Sequence, residues 1–114
     1  MESQKYQDVI QDLLDCAKSC EQCIIDSISG SYPQKMDKCI RLARDCKDVC
    51  TLQARYLSRN SPIAQHLMNI CEDLCRLCAE ECAQHPHSKE CKDCYKSCMR
   101  CADTCRKQMA ELVS

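Results

Sequence analysis

The placement of cysteine constrains this chain more than any other feature. Fifteen of the 114 residues are cysteine, and within each of four segments they recur only at steps of three, four or seven. That is the repeat of one face of an α-helix. Cys16, Cys20 and Cys23 form the first stripe, and Cys39, Cys46 and Cys50 the second. Cys71, Cys75, Cys78 and Cys82 form the third, and Cys91, Cys94, Cys98, Cys101 and Cys105 the fourth. Each predicted helix thus carries a column of sulfur where a helical bundle normally keeps leucine.

Turn signals separate the four segments. The first helix is expected from about Gln4 to Ile28, stopping at Ser29-Gly30-Ser31 with Gly30 in the left-handed conformation. Pro33 restarts the chain. The second helix is expected to fray near Ser58-Arg59-Asn60, before Ser61 as N-cap and Pro62 as first helical residue launch the third. The third ends at His85-Pro86-His87, because proline lacks the amide hydrogen and disfavours helix in the residue before it. Ser88 caps the fourth, which runs to about Leu112 with Glu90 favourably placed in its first turn. Short connections between long helices predict antiparallel neighbours. The expected fold is an all-α, up-down four-helix bundle with a cysteine-lined interior, a single domain spanning residues 1–114.

A chain with no Phe or Trp and one Gly has no aromatic core, so sulfur must fill part of the interior. Val9, Ile10 and Leu13 lead into the first stripe, Leu67 and Met68 into the third, and Leu112 follows Gln108 on the fourth. They are expected to plug the ends of a tube with thiols between. Continuing the stripes by helical steps lands on Leu13, Ser27, Ala43 and Gln53, seam positions without sulfur.

Charged residues make up 29% of the chain and nearly cancel, to a formal net charge of −1, with no basic block. Neither nucleic acid nor membrane is expected as a partner. The N-terminal stretch has no apolar run of signal-peptide character, and a cytoplasmic location, where thiols stay reduced, is expected.

Cysteine at this density exceeds what packing alone uses. A disulfide framework fits poorly. Cβ atoms at i,i+3 or i,i+4 lie about 5–6 Å apart, against the roughly 3.5–4.5 Å a disulfide requires, and the count is odd. A soft ion held by two thiolates at about 2.3 Å each spans a sulfur separation of about 4.5 Å, which such pairs reach. Candidate pairs are Cys16/Cys20, Cys46/Cys50, Cys71/Cys75, Cys78/Cys82, Cys94/Cys98 and Cys101/Cys105, with Cys23, Cys39 and Cys91 free to bridge between helices. All-thiolate sites select Cu(I), zinc or iron–sulfur clusters. A zinc-thiolate buffer and an iron–sulfur or redox protein are the alternatives. Zinc closes with four ligands, usually in loop knuckles, and ferredoxin runs end in a Cys-Pro that this chain lacks. Cu(I) accepts two or three thiolates and tolerates bridging sulfur, so multiple Cu(I) ions per chain are expected.

His85 and His87 lie at the turn between the third and fourth helices, near one end of the tube. Imidazole suits copper, so both join the fifteen cysteines as candidate metal ligands. His66 is expected on the surface. Met36, Met68 and Met99 are read as core filler, and Tyr6, Tyr32, Tyr56 and Tyr95 carry no assigned chemistry. Exposed Leu14 and Ile25 offer an edge for self-association. No phosphate loop, catalytic triad or redox turn is recognisable, so no enzyme activity and no catalytic residue is expected.

The spacing Cys16-x3-Cys20-x2-Cys23, the segment Cys39-Ile40-Arg41-Leu42 through Cys46-x3-Cys50, Ser61-Pro62, Cys71-x3-Cys75-x2-Cys78-x3-Cys82, and His85-Pro86-His87 running into Cys91-x2-Cys94-x3-Cys98-x2-Cys101-x3-Cys105 together resemble the cysteine-rich four-helix-bundle copper storage proteins, in particular their cytosolic branch. The resemblance covers nearly the whole chain. It implies Cu(I) storage, buffering and detoxification by thiolates inside the bundle, histidines at its open end, and a homotetramer.

Overall fold

A computed structural model describes residues 6–31 and 33–113, with the backbone alone for 112 and 113. Among the described residues it contains four α-helices and no strand: α1 (Gln7–Ser29), α2 (Asp37–Ser58), α3 (Ile63–Cys82) and α4 (Lys89–Val113). A 3₁₀ turn, Pro33–Met36, leads into α2. The helices form a rod of 48 × 21 × 19 Å. Helix α1 packs on α2 and α4, and α3 closes the square against the same two helices.

The register confirms the up-down order. Cys16 meets Cys46 while Cys23 meets Cys39, so residue numbers fall along α1 as they rise along α2. Likewise Cys16 meets Cys98 and Cys23 meets Cys91 across α1 and α4. No described helix is long and apolar enough to cross a membrane.

The caps explain where the helices stop, and they correct two expectations. Gly30 is extended, with φ −74° and ψ 177°; the left-handed residue is Asn60, at φ 54°. Ser29 Oγ instead donates to the Ile25 carbonyl at the end of α1. Helix α2 does not fray. The amide of Ser61 donates to the Tyr56 carbonyl and that of Asn60 to the Leu57 carbonyl, the paired bonds of a Schellman motif with asparagine in the left-handed position. Ser61 and Ser88 perform the expected capping, accepting from the amides of Ile63 and Cys91. Helix α3 ends at Cys82, three residues before His85; the amides of Gln84 and His85 tighten to i−3 carbonyls as the chain approaches Pro86. The expected start of the first helix near Gln4 and the position of Tyr32 lie outside the described residues, as does the side chain of Leu112.

Each helix presents one stripe to the axis, and all fifteen cysteines are buried on it. The sulfur-free seam positions Leu13, Ser27, Ala43 and Gln53 are buried too. The apolar plug, expected at both ends, closes one end only. Antiparallel packing gathers the start of α1, the end of α2 and the start of α3 there, so Val9, Leu13, Ala54, Leu57, Ala64 and Met68 fill that end. At the opposite end the axis is topped by Ser27, Met36, His85 and Ser88. We expect Leu13→Ala, which empties a fully buried site, to destabilise the reduced apo-bundle by about 2–5 kcal/mol, measurable as a lowered urea midpoint.

Candidate metal centre

Four helices of cysteine at one-turn intervals stack their thiols in layers, because facing stripes on antiparallel helices meet at similar heights. The closest Sγ···Sγ distances fall at 3.6 Å for Cys16–Cys98, Cys23–Cys39 and Cys23–Cys91. Cys50–Cys75 is at 3.7 Å, and Cys16–Cys46, Cys46–Cys75 and Cys20–Cys94 are at 3.8 Å. These are contacts between helices. Within helices, Cys94–Cys98 lies at 3.8 Å and Cys46–Cys50 at 3.9 Å. The spacing anticipated these last two pairs, and Cys23, Cys39 and Cys91, expected to bridge between helices, meet one another across them; the other interhelical partners had no signal in it.

Twelve of the thiols converge into four groups whose sulfurs all lie within 4.8 Å of one another. Cys16, Cys46, Cys50 and Cys75 form one, and Cys16, Cys20, Cys46 and Cys98 the next. Cys20, Cys78, Cys94 and Cys98 form a third, and Cys23, Cys39, Cys82 and Cys91 a fourth. The first two share Cys16 and Cys46, and the second and third share Cys20 and Cys98. This part of the axis is therefore a continuous column with common corners. Cys71, Cys101 and Cys105 are buried on the same stripes without joining a group.

The distances suit soft ions. Bonds of about 2.3 Å place sulfurs about 4.6 Å apart around a linear ion and about 4.0 Å apart around a trigonal one. The thiols need move by no more than about 1 Å from the observed contacts. An ion bound to a shared corner is also bridged to its neighbour, which Cu(I)-thiolate chemistry accepts.

Burial and hydrogen bonds among the thiols govern the protons. Desolvation pushes the Cys71 thiol up from its ordinary value of 9.0, and neighbouring Cys105, Cys46 and Cys16 push the same way. Cys98 is also held up, by the thiols of Cys16, Cys20, Cys46 and Cys78 and by burial. Cys16, Cys23 and Cys78 are pulled the other way, by thiol hydrogen bonds led by Cys101, Cys39 and Cys20 respectively, so neighbouring sulfurs share the protons of the empty array and give them up when a cation binds.

The polar end of the axis sits directly above the fourth group. Ser27, Met36, His85 and Ser88 lie one helical turn beyond Cys23, Cys39, Cys82 and Cys91 respectively, one on each side of the square. They line a cleft of about 660 Å³ together with His87, Lys35, Lys89, Asp26 and Glu90. His85 Nε2 lies 2.9 Å from Glu81 Oε2, and the rings of His85 and His87 are 6.1 Å apart. The carboxylate orients the His85 ring, leaving Nδ1 as its second donor atom. His66 lies on the outer surface, as expected; His87, a candidate ligand, is exposed, and neither it nor His85 joins one of the four-ligand groups. Of the methionines, Met36 and Met68 are buried; Met68 Sδ accepts from Gln53 Nε2 at 3.6 Å, consistent with a filler role.

Known proteins are similar to this chain in sequence and fold. Residues 2–110 match the family model described as copper storage protein. The chain is 35% identical over 101 residues to the uncharacterized cysteine-rich protein YhjQ of Bacillus subtilis, covering 89% of this chain and 93% of that one. Among solved structures, the Cu(I)-bound copper storage protein BsCsp3 superposes with a TM-score of 0.85 at 32% identity, covering 90% of this chain and 95% of the other. A cytosolic copper storage protein from Streptomyces lividans carrying five coppers gives 0.90 at 30% identity, covering 96% and 95%. With fifteen buried thiols on the axis of an antiparallel bundle, and likeness along nearly its whole length, this chain belongs to the copper storage protein family.

Proposed function

We propose that this protein stores multiple Cu(I) ions on the fifteen cysteines, the whole chain acting as one four-helix domain. The observation that carries the reading is the corner-sharing column of thiols. It offers bridged two- and three-coordinate sites in a lining closed to water, and it is far larger than one structural site requires. Copper enters and leaves at the polar end, where His85 and His87 stand over the outermost sulfurs and the opposite end is filled by leucine, valine and methionine. The role is storage and buffering rather than catalysis, and the compartment is the cytoplasm, in keeping with the relative from Streptomyces lividans that is described as cytosolic.

Anaerobic titration of the fully reduced protein with Cu(I), followed by thiolate-to-metal ultraviolet absorption, tests this. Private pairs would saturate at about seven ions and fully bridged thiolates at about fifteen, and the shared corners favour the larger figure. Saturation at one or two ions, or ready loss to a Cu(I) chelator, would overturn the storage reading.

Self-association completes the proposal, with the tetramer implied by the resemblance. Besides Leu14 and Ile25, helix α3 carries a second apolar stripe, Ile63, Leu67, Ile70, Leu74 and Leu77, beside its cysteine stripe. Ile63, Ile70 and Leu77 are each about half exposed. The 4-3-4-3 spacing is that of a helix–helix seam, which suits a second copy of the chain. Ile70→Glu should shift the protein to smaller species in sedimentation velocity; an unchanged distribution would place the contact elsewhere.

A further inference from the structure

The four thiol groups are not equivalent, and the difference concerns the outermost one. Cys23, Cys39, Cys82 and Cys91 come one from each helix, and this group shares no thiol with the other three. The first and third groups are also disjoint from each other, but each of the other three draws two of its sulfurs from a single helix, so only the outermost group surrounds one ion with a ligand from every helix and lies at the polar mouth. All six Sγ separations fall within 4.8 Å, two of them at 3.6 Å. A tetrahedral ion with sulfur bonds of about 2.3 Å requires separations of about 3.8 Å, so the group closes around one with shifts of well under a helical step.

We propose that this group binds one tetrahedral divalent ion of the zinc type, which plugs the polar end of the tube when copper is scarce. Chemically, one Zn²⁺ and four thiols give a tetrathiolate with charge −2 and four released protons. Lys35 and Lys89 line the cleft above, as do Asp26 and Glu90; Lys89 is paired with Asp93 and Lys38 with Glu81, so the mouth is of mixed charge, with Lys35 a lining cation that helps offset the tetrathiolate. The Ser27 hydroxyl, buried and without a hydrogen-bond partner, also lines the cleft, one turn above Cys23. It supplies a donor for a thiolate or for water over the closed site. Two Cu⁺ then displace the ion, leaving four thiolates on two Cu(I) and releasing one Zn²⁺, with charge conserved. Copper is the stronger competitor because thiolate favours it. The displacement step rests on the Cu(I) storage reading; occupation by the divalent ion does not.

The test is anaerobic titration of the reduced, metal-free, full-length protein with Zn²⁺ against a chromophoric zinc chelator, with Co²⁺ as a spectroscopic reporter of tetrahedral thiolate ligation. The expected result is about one tight equivalent and a tetrahedral Co²⁺ spectrum. Cys39→Ser should abolish both, while Cys75→Ser, in the inner column, preserves them. Cys91→Ser replaces Cys39→Ser if circular dichroism shows that the latter has lost its helices. Adding Cu(I) to the zinc-loaded protein should release the zinc within the first few equivalents. No tight equivalent, several equally tight ones, or equal loss in Cys75→Ser would overturn the proposal. Cu(I) capacity measured on the same samples separates the two readings: a protein that keeps its copper but binds no zinc defeats this inference alone, and one that binds a single zinc but stores no copper defeats the storage reading alone.

Discussion

Replacing Cys94 and Cys98 together with serine is expected to lower the Cu(I) capacity of the chain while leaving its helices intact. Both residues belong to one four-thiol group, and Cys98 belongs to a second. Their removal cuts the column where three helices contribute sulfur. At one ion per thiol the loss is at least about two ions, and it rises to about four if ions that bridge through Cys98 are lost with it. Serine is slightly smaller than cysteine and both sites are on a helix, so circular dichroism should be little changed. Cys71→Ser makes the useful contrast: Cys71 joins no group, and its loss should cost about one ion or none. The measurement is the saturation point of the anaerobic titration. Unchanged capacity in the double variant would contradict storage in the column.

The second large effect is on pH dependence, and it runs in opposite directions for the empty and loaded protein. In the empty bundle, buried thiols such as Cys71 are raised above their ordinary value of 9.0. A group whose folded value is raised contributes stability that is complete below its unfolded value and lost as pH rises through the folded one. The Cys71 contribution to apo-protein stability should therefore be complete at neutral pH and be lost above about pH 9, seen as a steeper fall of the urea midpoint in the parent than in Cys71→Ser under reducing conditions. Copper reverses the sign. Each Cu(I) displaces the protons that its thiols hold, so retention weakens as pH falls, by about tenfold per unit for each proton released. The slope also reads the coordination: one proton per copper signals fully bridged thiolates, and two signal private pairs. Retention against a chelator that is flat between pH 8 and pH 6 would exclude ligation by the buried thiols.

Helical periodicity and the turn residues determined a great deal. The repeat of three and four fixes which side of each helix carries sulfur, because 3.6 residues per turn is a local property of the backbone. The buried positions of all fifteen cysteines, and of Leu13, Ser27, Ala43 and Gln53 between or beyond them, follow from it. Ser61 and Ser88 were readable as caps because a hydroxyl at that position has one natural partner, an amide of the first turn. The ends of helices were less legible. Gly30 had the freedom to turn left-handed but not the need, and Asn60 took that conformation because two amides beyond α2 found carbonyls behind them.

What only the tertiary structure decided is how the stripes face one another. Spacing along one helix offers pairs such as Cys71/Cys75, yet Cys75 has its close contacts with Cys16, Cys46 and Cys50 on α1 and α2. Those partners depend on axial offset and rotation between helices, which side-chain packing sets and no single-helix repeat encodes. The same antiparallel packing put the apolar ends of α1, α2 and α3 together, leaving one end plugged and the other polar. It also made one group of four cysteines private while the other three share corners. The sequence alone determined that this is a bundle lined with thiols; the packing of its helices determined which thiols can share an ion.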